Sequence, residues 1–278
     1  MFLTVNVNPL PSATASASSP VCEGADLNLT ASGGTSYEWS GPNGFASTTQ
    51  NPTRNNMTIA DSGIYTVTVT NAAGCEDTAQ VRVVVNPNAI LALTSGPGSD
   101  SVLVCEGTAL TSITYSVTGG GTGAAVTGLP AGVTGNFSGG VFTLSGTPTD
   151  TGVFNYEVVT TGGGCAQDTL TGIIEIVPAP VVNAGSDQTI CEGEIVDLAN
   201  SSPNASNTSG LSWSTSGDGS YNNPVILTPE YTAGIGDISN GTVILTLTAA
   251  GIPGCPAAND NLTVTINPKP VTSPIFHN

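Results

Sequence analysis

Positive charge is nearly absent from this 278-residue sequence, in which three Lys and Arg residues stand against 20 Asp and Glu residues. The formal net charge of −17 repels phosphate backbones and anionic membrane surfaces. Nucleic acid and anionic membranes are therefore poor candidates for a partner. A surface of one sign is expected to keep copies of the chain soluble.

Histidine, Cys-x-x-Cys pairs and long apolar runs are also missing or rare. The one histidine, His277, stands almost at the end of the chain, which disfavours a Ser/His/Asp hydrolase and a zinc site. No apolar run approaches the ~20 residues that a membrane helix needs. Residues 1–10 lack the basic start and the apolar stretch of a signal peptide. The sequence therefore predicts a chain that is not an enzyme and does not insert into a membrane.

Turn-forming and strand-forming residues dominate instead. Gly, Ser, Thr and Asn are abundant, Thr and Val alternate repeatedly, and no window of about ten residues has a helical period. This pattern predicts an all-β protein with many turns. The six cysteines are evenly spaced in an acidic chain, which predicts disulfides and an extracellular location.

An internal repeat is the strongest pattern in the sequence. Cys-Glu-Gly occurs at 22–24, 105–107 and 191–193, with spacings of 83 and 86 residues. A second cysteine follows each of these motifs, always directly after a glycine. These second cysteines are Cys75, Cys165 and Cys255.

Proline-marked junctions divide the chain into three modules, numbered 1 to 3: residues 10–87, 88–177 and 178–267. Residues 1–9 match the last strand of a preceding repeat and residues 268–278 the start of a following one, so we expect an excerpt from a longer array. The Pro-containing junctions are short and stiff. Strands of ~10 residues at ~3.4 Å each make a module roughly 35–40 Å long, so three modules in an elongated rod span on the order of 110 Å.

Module 1 carries a recognisable strand pattern. Residues 24–31 alternate apolar and polar side chains, Trp39 follows a Gly-Gly turn, and Asp61-Ser-Gly-Ile-Tyr65 leads into a Thr-Val run. This resembles the immunoglobulin pattern of strand B, the core Trp of strand C and the tyrosine corner of strand F. The resemblance implies a Greek-key β-sandwich. Ala31 and Val67 stand where an antibody domain has its core cysteines.

Modules 2 and 3 resemble repeats of bacterial surface proteins. Module 2 has an echo of the corner in residues 150–154, and its residues 129–148 resemble immunoglobulin-like and cadherin-like repeats. Module 3 has Trp213 in a strand-C context, and its opening NAGSDQTICEG resembles the PKD-like repeats of giant Bacteroidota adhesins, including gliding-motility adhesins exported by type 9 secretion. The resemblance implies a structural stalk or fibre segment of a secreted cell-surface adhesin. Its implied partners are neighbouring repeats, other copies in a fibre, or surface glycans.

Two other functions stay open. The chain could be a glycan- or calcium-dependent binding module, or the non-catalytic repeats of a large secreted enzyme. The carboxylates Glu23, Glu106 and Glu192 repeat with the module, as turn residues do, which argues against hydrolysis by a carboxylate pair. Trp39 and Trp213 would stack on sugars if exposed, but their positions predict core residues.

No cofactor is predicted, and calcium is the one metal that stays in question. Calcium prefers clustered oxygen ligands, and several aspartates stand among Asn and Gly in predicted loops. No D-x-D-x-D-G loop is present. The candidate aspartates are Asp150, Asp187, Asp218, Asp237 and Asp260.

Three Asp-Ser/Thr-aliphatic sequences resemble the O-glycosylation signal of exported Bacteroidota proteins. A chance match in a Thr-rich chain explains them equally well. The acceptor candidates are Thr78, Ser101 and Thr169.

The implied immunoglobulin topology also bears on the disulfides. Sequence order suggests one bridge within each module: Cys22–Cys75, Cys105–Cys165 and Cys191–Cys255. In an immunoglobulin topology, however, the A–B turn and the F–G turn lie at opposite ends of the sandwich, roughly 30 Å apart at ~3.3 Å per residue. A disulfide needs Cα atoms within about 7 Å.

Bridges between modules follow from this topology, because the A–B end of one module abuts the F–G end of the next. We therefore predict Cys22–Cys165 and Cys105–Cys255. Cys75 would then pair with a preceding repeat and Cys191 with a following one. A shifted strand assignment in module 2 or 3 would restore the pairs within modules.

Overall fold

The computed structural model describes residue 3 and residues 6–270. The described chain is nearly all β, as predicted, and its one α-helix, α1 (Ile235–Asn240), has six residues. His277 and the greater part of the expected following repeat lie outside the described residues.

Module 1 is a two-layer sandwich. One layer has the order β1-β3-β6, the other has the order β5-β4-β7-β8, and β2 pairs with β9. Short 3-10 helices occupy Pro42–Gly44 and Ile59–Asp61. The strands are β1 (Thr14–Ala17), β2 (Val21–Cys22), β3 (Leu27–Ser32), β4 (Ser36–Gly41), β5 (Phe45–Ser47), β6 (Thr53–Arg54), β7 (Gly63–Thr70), β8 (Glu76–Val83) and β9 (Val85–Asn86).

Module 2 packs two four-stranded sheets, with orders β10-β12-β15-β14 and β11-β17-β16-β13. The segment 129–148 supplies the β14–β15 hairpin, which turns at Gly139 and Gly140, both with positive φ. The strands are β10 (Ala89–Leu93), β11 (Ser101–Cys105), β12 (Ile113–Gly119), β13 (Gly123–Thr127), β14 (Val133–Ser138), β15 (Val141–Gly146), β16 (Gly152–Thr161) and β17 (Thr169–Val177).

Module 3 has one four-stranded sheet, β19-β26-β25-β22, faced by the smaller sheets β18-β21 and β20-β24-β23. A 3-10 helix spans Leu198–Ser201. The strands are β18 (Val181–Asn183), β19 (Gln188–Cys191), β20 (Val196–Asp197), β21 (Asn204–Ser206), β22 (Leu211–Thr215), β23 (Ser220–Tyr221), β24 (Glu230–Thr232), β25 (Thr242–Ala249) and β26 (Ala258–Asn267).

Three separate hydrophobic cores fill these sandwiches. Their members fall between residues 13 and 85, 91 and 176, and 182 and 266, so each core lies within one of the three expected modules. The alternation along β3 buries Leu27, Leu29 and Ala31, as a strand with one face on the core requires.

Both tryptophans are core residues. Trp39 is fully buried and its indole Nε1 donates to the carbonyl of Gln50 at 3.1 Å, whereas the Nε1 of Trp213 donates to the carbonyl of Leu227 at 3.2 Å. Each ring therefore packs its apolar body in a sandwich and satisfies its single donor locally. Stacking of either tryptophan on a sugar is excluded by this burial.

The tyrosine corner forms in module 1 but not in module 2. Tyr65 donates its hydroxyl to the carbonyl of Asp61 at 3.2 Å. Phe154 occupies the same register in module 2, opposite Ile174, but it has no hydroxyl to donate. Tyr156, two residues further on, is buried instead and shares a 2.8 Å hydrogen bond with the hydroxyl of Tyr115. Residues 150–154 of module 2 therefore resemble a tyrosine corner in sequence but do not form one.

Candidate functional site: the junctions between modules

The first cysteine of each module lies at the end of the sandwich where the last strand of that module ends. Cys22 ends β2, which runs parallel to β9 and places Cys22 opposite Asn86. Cys105 and Cys191 end the corresponding strands β11 and β19, which are also parallel to the last strand of their module. The first cysteine therefore marks the exit end of the module.

The second cysteine lies at the other end of the sandwich, in the hairpin that precedes the last strand. Cys75 lies between β7 and β8, Cys165 between β16 and β17, and Cys255 between β25 and β26. The chain also enters the module at this end. The first strand pairs antiparallel with its neighbour in the sheet, and the start of the first strand lies beside the hairpin. An exit end of one module thus faces an entry end of the next.

Two disulfides cross these junctions. The Cα atoms of Cys22 and Cys165 are 5.5 Å apart and those of Cys105 and Cys255 are 4.7 Å apart, over sequence separations of 143 and 150 residues. Both distances are normal for a disulfide. These are the two pairs expected from the strand positions. Within the described part of the chain, the thiols of Cys75 and Cys191 are unpaired.

Asn88 forms hydrogen bonds to the backbone on both sides of the first junction. Its side-chain Nδ2 donates to the carbonyl of Glu23 in module 1, and its Oδ1 accepts from the N–H of Ala166 in module 2, both at 3.3 Å. Its own carbonyl accepts from the N–H of Gly120 at 2.9 Å. One linker residue therefore contacts both modules beside the disulfide.

The second junction is packed through apolar side chains. Gly254, which has φ +86°, lies against the side chains of Leu103 and Val177 at the exit end of module 2. A Cβ atom at residue 254 would approach Leu103 Cγ to 2.9 Å and Val177 Cγ2 to 3.4 Å. Cys105 and Cys255 are both buried there, so this bridge is shielded from solvent.

The Cys-Glu-Gly motif is a turn that ties the exit end together. The N–H groups of Glu23, Glu106 and Glu192 each donate at 2.9 Å to a carbonyl at the end of their module's last strand. The glycines that follow have φ between +74° and +86°, a region that glycine adopts without strain. The same backbone turn therefore recurs in all three modules.

A carboxylate in each module fastens the first strand at the entry end. The Oδ2 atoms of the three aspartates accept a backbone N–H at 2.8–3.0 Å from a residue within that strand or directly next to it, in the pairs Asp77 with Ala13, Asp168 with Leu91, and Asp260 with Ala184. Sequence reasoning missed this role. The aspartates stand two, three and five residues after the second cysteine, so no fixed spacing marks them.

The O-glycosylation candidates Thr78, Ser101 and Thr169 are exposed residues of β8, β11 and β17. The structure places an acceptor hydroxyl on the surface at each position. Two of the three preceding aspartates, Asp77 and Asp168, are the strand-fastening residues just described, which is a structural reason for that part of the motif.

The calcium candidates do not assemble into a site. Asp187 accepts the N–H of Thr263 at 2.7 Å, and Asp260 is the fastening residue of module 3. The described residues contain no group of three or more His, Cys, Asp or Glu side chains suited to a metal, and Asp150 stands exposed.

Asp218 and Asp237 do lie together, but N–H and O–H donors occupy them. Asp218 accepts the N–H groups of Gly236 and Asp237 at 3.0 and 3.2 Å, and these hydrogen bonds lower the pKa of its carboxyl. Asp237 is buried and accepts the hydroxyl of Tyr231 at 2.6 Å and the N–H of Gly234 at 3.0 Å. The pKa of Tyr231 is raised to about 12, mainly by burial of its hydroxyl and secondly by its hydrogen bond to Asp237. The pair holds α1 against the sandwich.

An ion pair between a partly buried arginine and a buried aspartate closes the exit half of module 1. The guanidinium of Arg54 contacts the carboxylate of Asp61, and also donates to the carbonyl of Pro42 and the hydroxyl of Tyr65, both at 2.8 Å. Burial alone would raise the pKa of Asp61. Hydrogen bonds from Thr58 and Asn43 and the charge of Arg54 outweigh burial and hold that pKa below its usual value.

Module 2 carries a surface groove of ≈ 580 Å³. Its polar lining includes Asp100, Ser101 and Glu157, and it lies where Gly172 leaves room beside Tyr156. The ring of Tyr156 is only 1% exposed, so the groove offers carboxylates and hydroxyls but no aromatic face.

Comparison with known proteins agrees with this architecture. Residues 10–85 match the family model of the immunoglobulin domain. Module 1 is thus similar to the immunoglobulin domains that this model describes, and the match does not extend to modules 2 and 3. No curated protein sequence matches the chain significantly.

Solved structures of tandem immunoglobulin domains resemble the whole chain. An I-band fragment of titin is 14% identical, covers 95% of this chain and 100% of its own, and superposes with a TM-score of 0.59. A mutated three-domain immunoglobulin fragment of titin is 12% identical with the same coverage and a TM-score of 0.56. At these identities the likeness establishes the tandem fold alone. None of the described helices is long and apolar enough to cross a membrane.

Proposed function

We propose that this chain is a structural segment of an extracellular rod, which extends and stiffens a larger surface protein and does not catalyse a reaction. The observation that carries the proposal is that both disulfides join different modules. A bridge within a sandwich stabilises that sandwich alone. A bridge across a junction also restricts rotation and bending of one module against the next, as a stiff rod requires.

The module bounds 10–87, 88–177 and 178–267 form part of this proposal, with residues 1–9 and 268–278 assigned to neighbouring repeats. Cys75 and Cys191 would then form the same kind of bridge to those repeats. The three cores within these bounds support the division.

The location follows from the disulfides, since such bridges persist in oxidising, extracellular compartments. The parent protein is proposed to be a bacterial cell-surface adhesin of the gliding-motility, type 9 secretion kind. The PKD-like opening of module 3 and the net charge of −17 support that assignment. O-glycosylation of Thr78, Ser101 and Thr169 belongs to the same proposal, and the intact mass of the protein from its native source tests it.

Small-angle X-ray scattering tests the stiffness. The oxidised chain should have a maximum dimension on the order of 110 Å. Its distribution of interatomic distances should be narrow, as expected of a single extended conformation. A variant with serine at all four bridged cysteines should keep its folded modules but show a broader, shifted distribution. A Cys75→Ser/Cys191→Ser variant is the matched control and should scatter like the parent. Identical curves for all three proteins would contradict the stiffening role.

The groove of module 2 supports one second candidate, a glycan-binding role. Asp100 and Glu157 line it together with Ser101, and carboxylates and hydroxyls are suitable partners for sugar hydroxyls. Glycan-array binding that is lost in Glu157→Gln would favour this function. Absence of binding by the intact chain would remove it.

A further inference from the structure

We propose that the two bridges limit how far a pulling force can lengthen this chain, because they set the bodies of all three modules in parallel. The body of a module is the chain between its two cysteines. This inference deepens the proposed rod and rests on it, since a rod is loaded along its length.

The two bridges interleave along the chain. The first cysteine in sequence order is bonded to the third and the second to the fourth, in the order Cys22, Cys105, Cys165 and Cys255. Three stretches of chain therefore join one bridge to the other. They are residues 22–105, 105–165 and 165–255, of about 83, 60 and 90 residues. Bridges within modules would instead close three separate loops, one after another.

Each stretch contains the body of a different module. Residues 22–105 include the body of module 1, residues 105–165 are the body of module 2, and residues 165–255 include the body of module 3. A force that separates the two bridges therefore acts on all three stretches together. When one or two modules unfold, the remaining folded module still limits the distance between the bridges.

The outer modules limit this distance through short connecting segments. The Sγ atom of Cys255 lies 3.6 Å from the carbonyl oxygen of Pro178. While module 3 is folded, the chain from Cys165 to Pro178 therefore covers the distance between the bridges. These roughly 13 residues reach at most about 45 Å, little more than the roughly 35–40 Å of a folded module. Module 1 acts similarly through residues 86–105, since its last strand ends beside the first bridge.

A force applied at the two ends of the rod reaches the bridges directly. Residues 10–22 cross module 1 from its entry end to the first bridge, through β1 and β2. Residues 255–267 cross module 3 from the second bridge to its exit end, through β26. The pulling force therefore bypasses the bodies of modules 1 and 3 on its way to the bridges.

The bridges also shorten the chain that remains when every module has unfolded. The shortest covalent path between residues 10 and 267 passes through both bridges and residues 105–165, and it has about 84 residues. Its full extension is on the order of 290 Å. Without bridges the path has about 257 residues, and its full extension is on the order of 900 Å. The bridges thus withhold about 600 Å of extension.

Single-molecule force spectroscopy tests this inference on the whole chain, held by handles at its two termini. Every protein carries Cys75→Ser and Cys191→Ser, which removes the two thiols that could exchange with the bridges. Four proteins are compared: one with both bridges, one with Cys22→Ser/Cys165→Ser, one with Cys105→Ser/Cys255→Ser, and one with all four substitutions.

The protein without bridges should lengthen in three separate steps, one for each module. The protein with both bridges should lengthen by more than about 100 Å only once, when the last module unfolds, and should end about 600 Å shorter. Each protein with one bridge should end about 500 Å shorter than the unbridged protein. Its long step should come from module 3 alone when Cys22–Cys165 remains, and from module 1 alone when Cys105–Cys255 remains.

A reductant supplies the control on the same molecules. It should restore the three steps of the doubly bridged protein and leave the protein without bridges unchanged. Two or more steps longer than about 100 Å in the doubly bridged protein would overturn the inference. Disulfide mapping of the same preparation separates the two possible failures. If both bridges are present, only the parallel loading is wrong, whereas their absence would remove the proposed rod as well.

Discussion

Cys22 and Cys165 lie 5.5 Å apart between their Cα atoms, although 143 residues and a module boundary separate them in the sequence. The bridge links the exit turn of module 1 to the entry hairpin of module 2. Unfolding of either module therefore leaves its chain tethered to a folded neighbour at two points. This tether should make the thermal stability of adjacent modules interdependent.

Removal of this bridge should lower the stability of the pair. In the chain-entropy model a closed loop of this length contributes about 4–5 kcal/mol. We expect Cys22→Ala and Cys165→Ala each to lower the melting temperature of modules 1 and 2 in calorimetry, and the double variant to add little beyond either one. Cys75→Ala is the matched control and should melt like the parent. Equal melting of all variants would show that the bridge adds nothing.

Loss of the Arg54 guanidinium should destabilise module 1 strongly. Arg54→Gln leaves the buried Asp61 carboxylate and the Tyr65 hydroxyl without their cation, and breaking such a pair costs about 3–5 kcal/mol. Urea unfolding, followed by Trp39 fluorescence in a Trp213→Phe background, measures this loss. Arg82→Gln, at an exposed position, should change stability by less than about 0.5 kcal/mol. Similar losses in both variants would contradict the account.

Acid should weaken module 1 through the same carboxyl. The folded-state pKa of Asp61 lies below its ordinary value of 3.8, so its contribution is fully present above that pH and is lost as the pH falls through the folded value. Unfolding free energies of the parent should therefore drop below about pH 4 more steeply than those of Asp61→Asn. Parallel pH profiles for the two proteins would count against this assignment.

Gly172 should tolerate no side chain. A Cβ atom at residue 172 would lie 2.3 Å from the hydroxyl oxygen of Tyr156 and 2.4 Å from the carbonyl oxygen of Asp100. We expect Gly172→Ala to destabilise module 2 by about 1–3 kcal/mol, as overpacking does. Gly210→Ala, with no atom within 4 Å of its new Cβ and no positive φ, is the control and should be close to neutral. Calorimetry of both variants measures the two changes in stability. Equal stability of Gly172→Ala and Gly210→Ala would contradict this expectation.

The sequence predicted the parts of the fold that local pattern determines. Trp39 and Tyr65 could be assigned to the core and the corner because their neighbours alternate in strands of recognisable order. The bridges between modules could be predicted because the ends of strands, and not the order of cysteines, decide which sulfur atoms meet. Both inferences used positions along a strand, which sequence records directly.

Contacts across the sandwich were not predictable in the same way. Asp77 and Asp168 looked like parts of a modification signal, whereas each carboxylate holds the first strand of its module. Asp218 and Asp237 looked like calcium ligands, but backbone N–H groups and a tyrosine hydroxyl occupy them. A sequence shows that a carboxylate oxygen is available, but only the fold shows which hydrogen-bond donor occupies it.

Disulfide mapping of the oxidised protein tests the central claim most directly. Digestion with pepsin at acid pH, which suppresses thiol exchange, and mass spectrometry without reductant identify the linked peptides. The account predicts Cys22 linked to Cys165 and Cys105 linked to Cys255. A peptide that links Cys22 to Cys75, or Cys105 to Cys165, would place the bridges within modules and contradict a rod stiffened at its junctions.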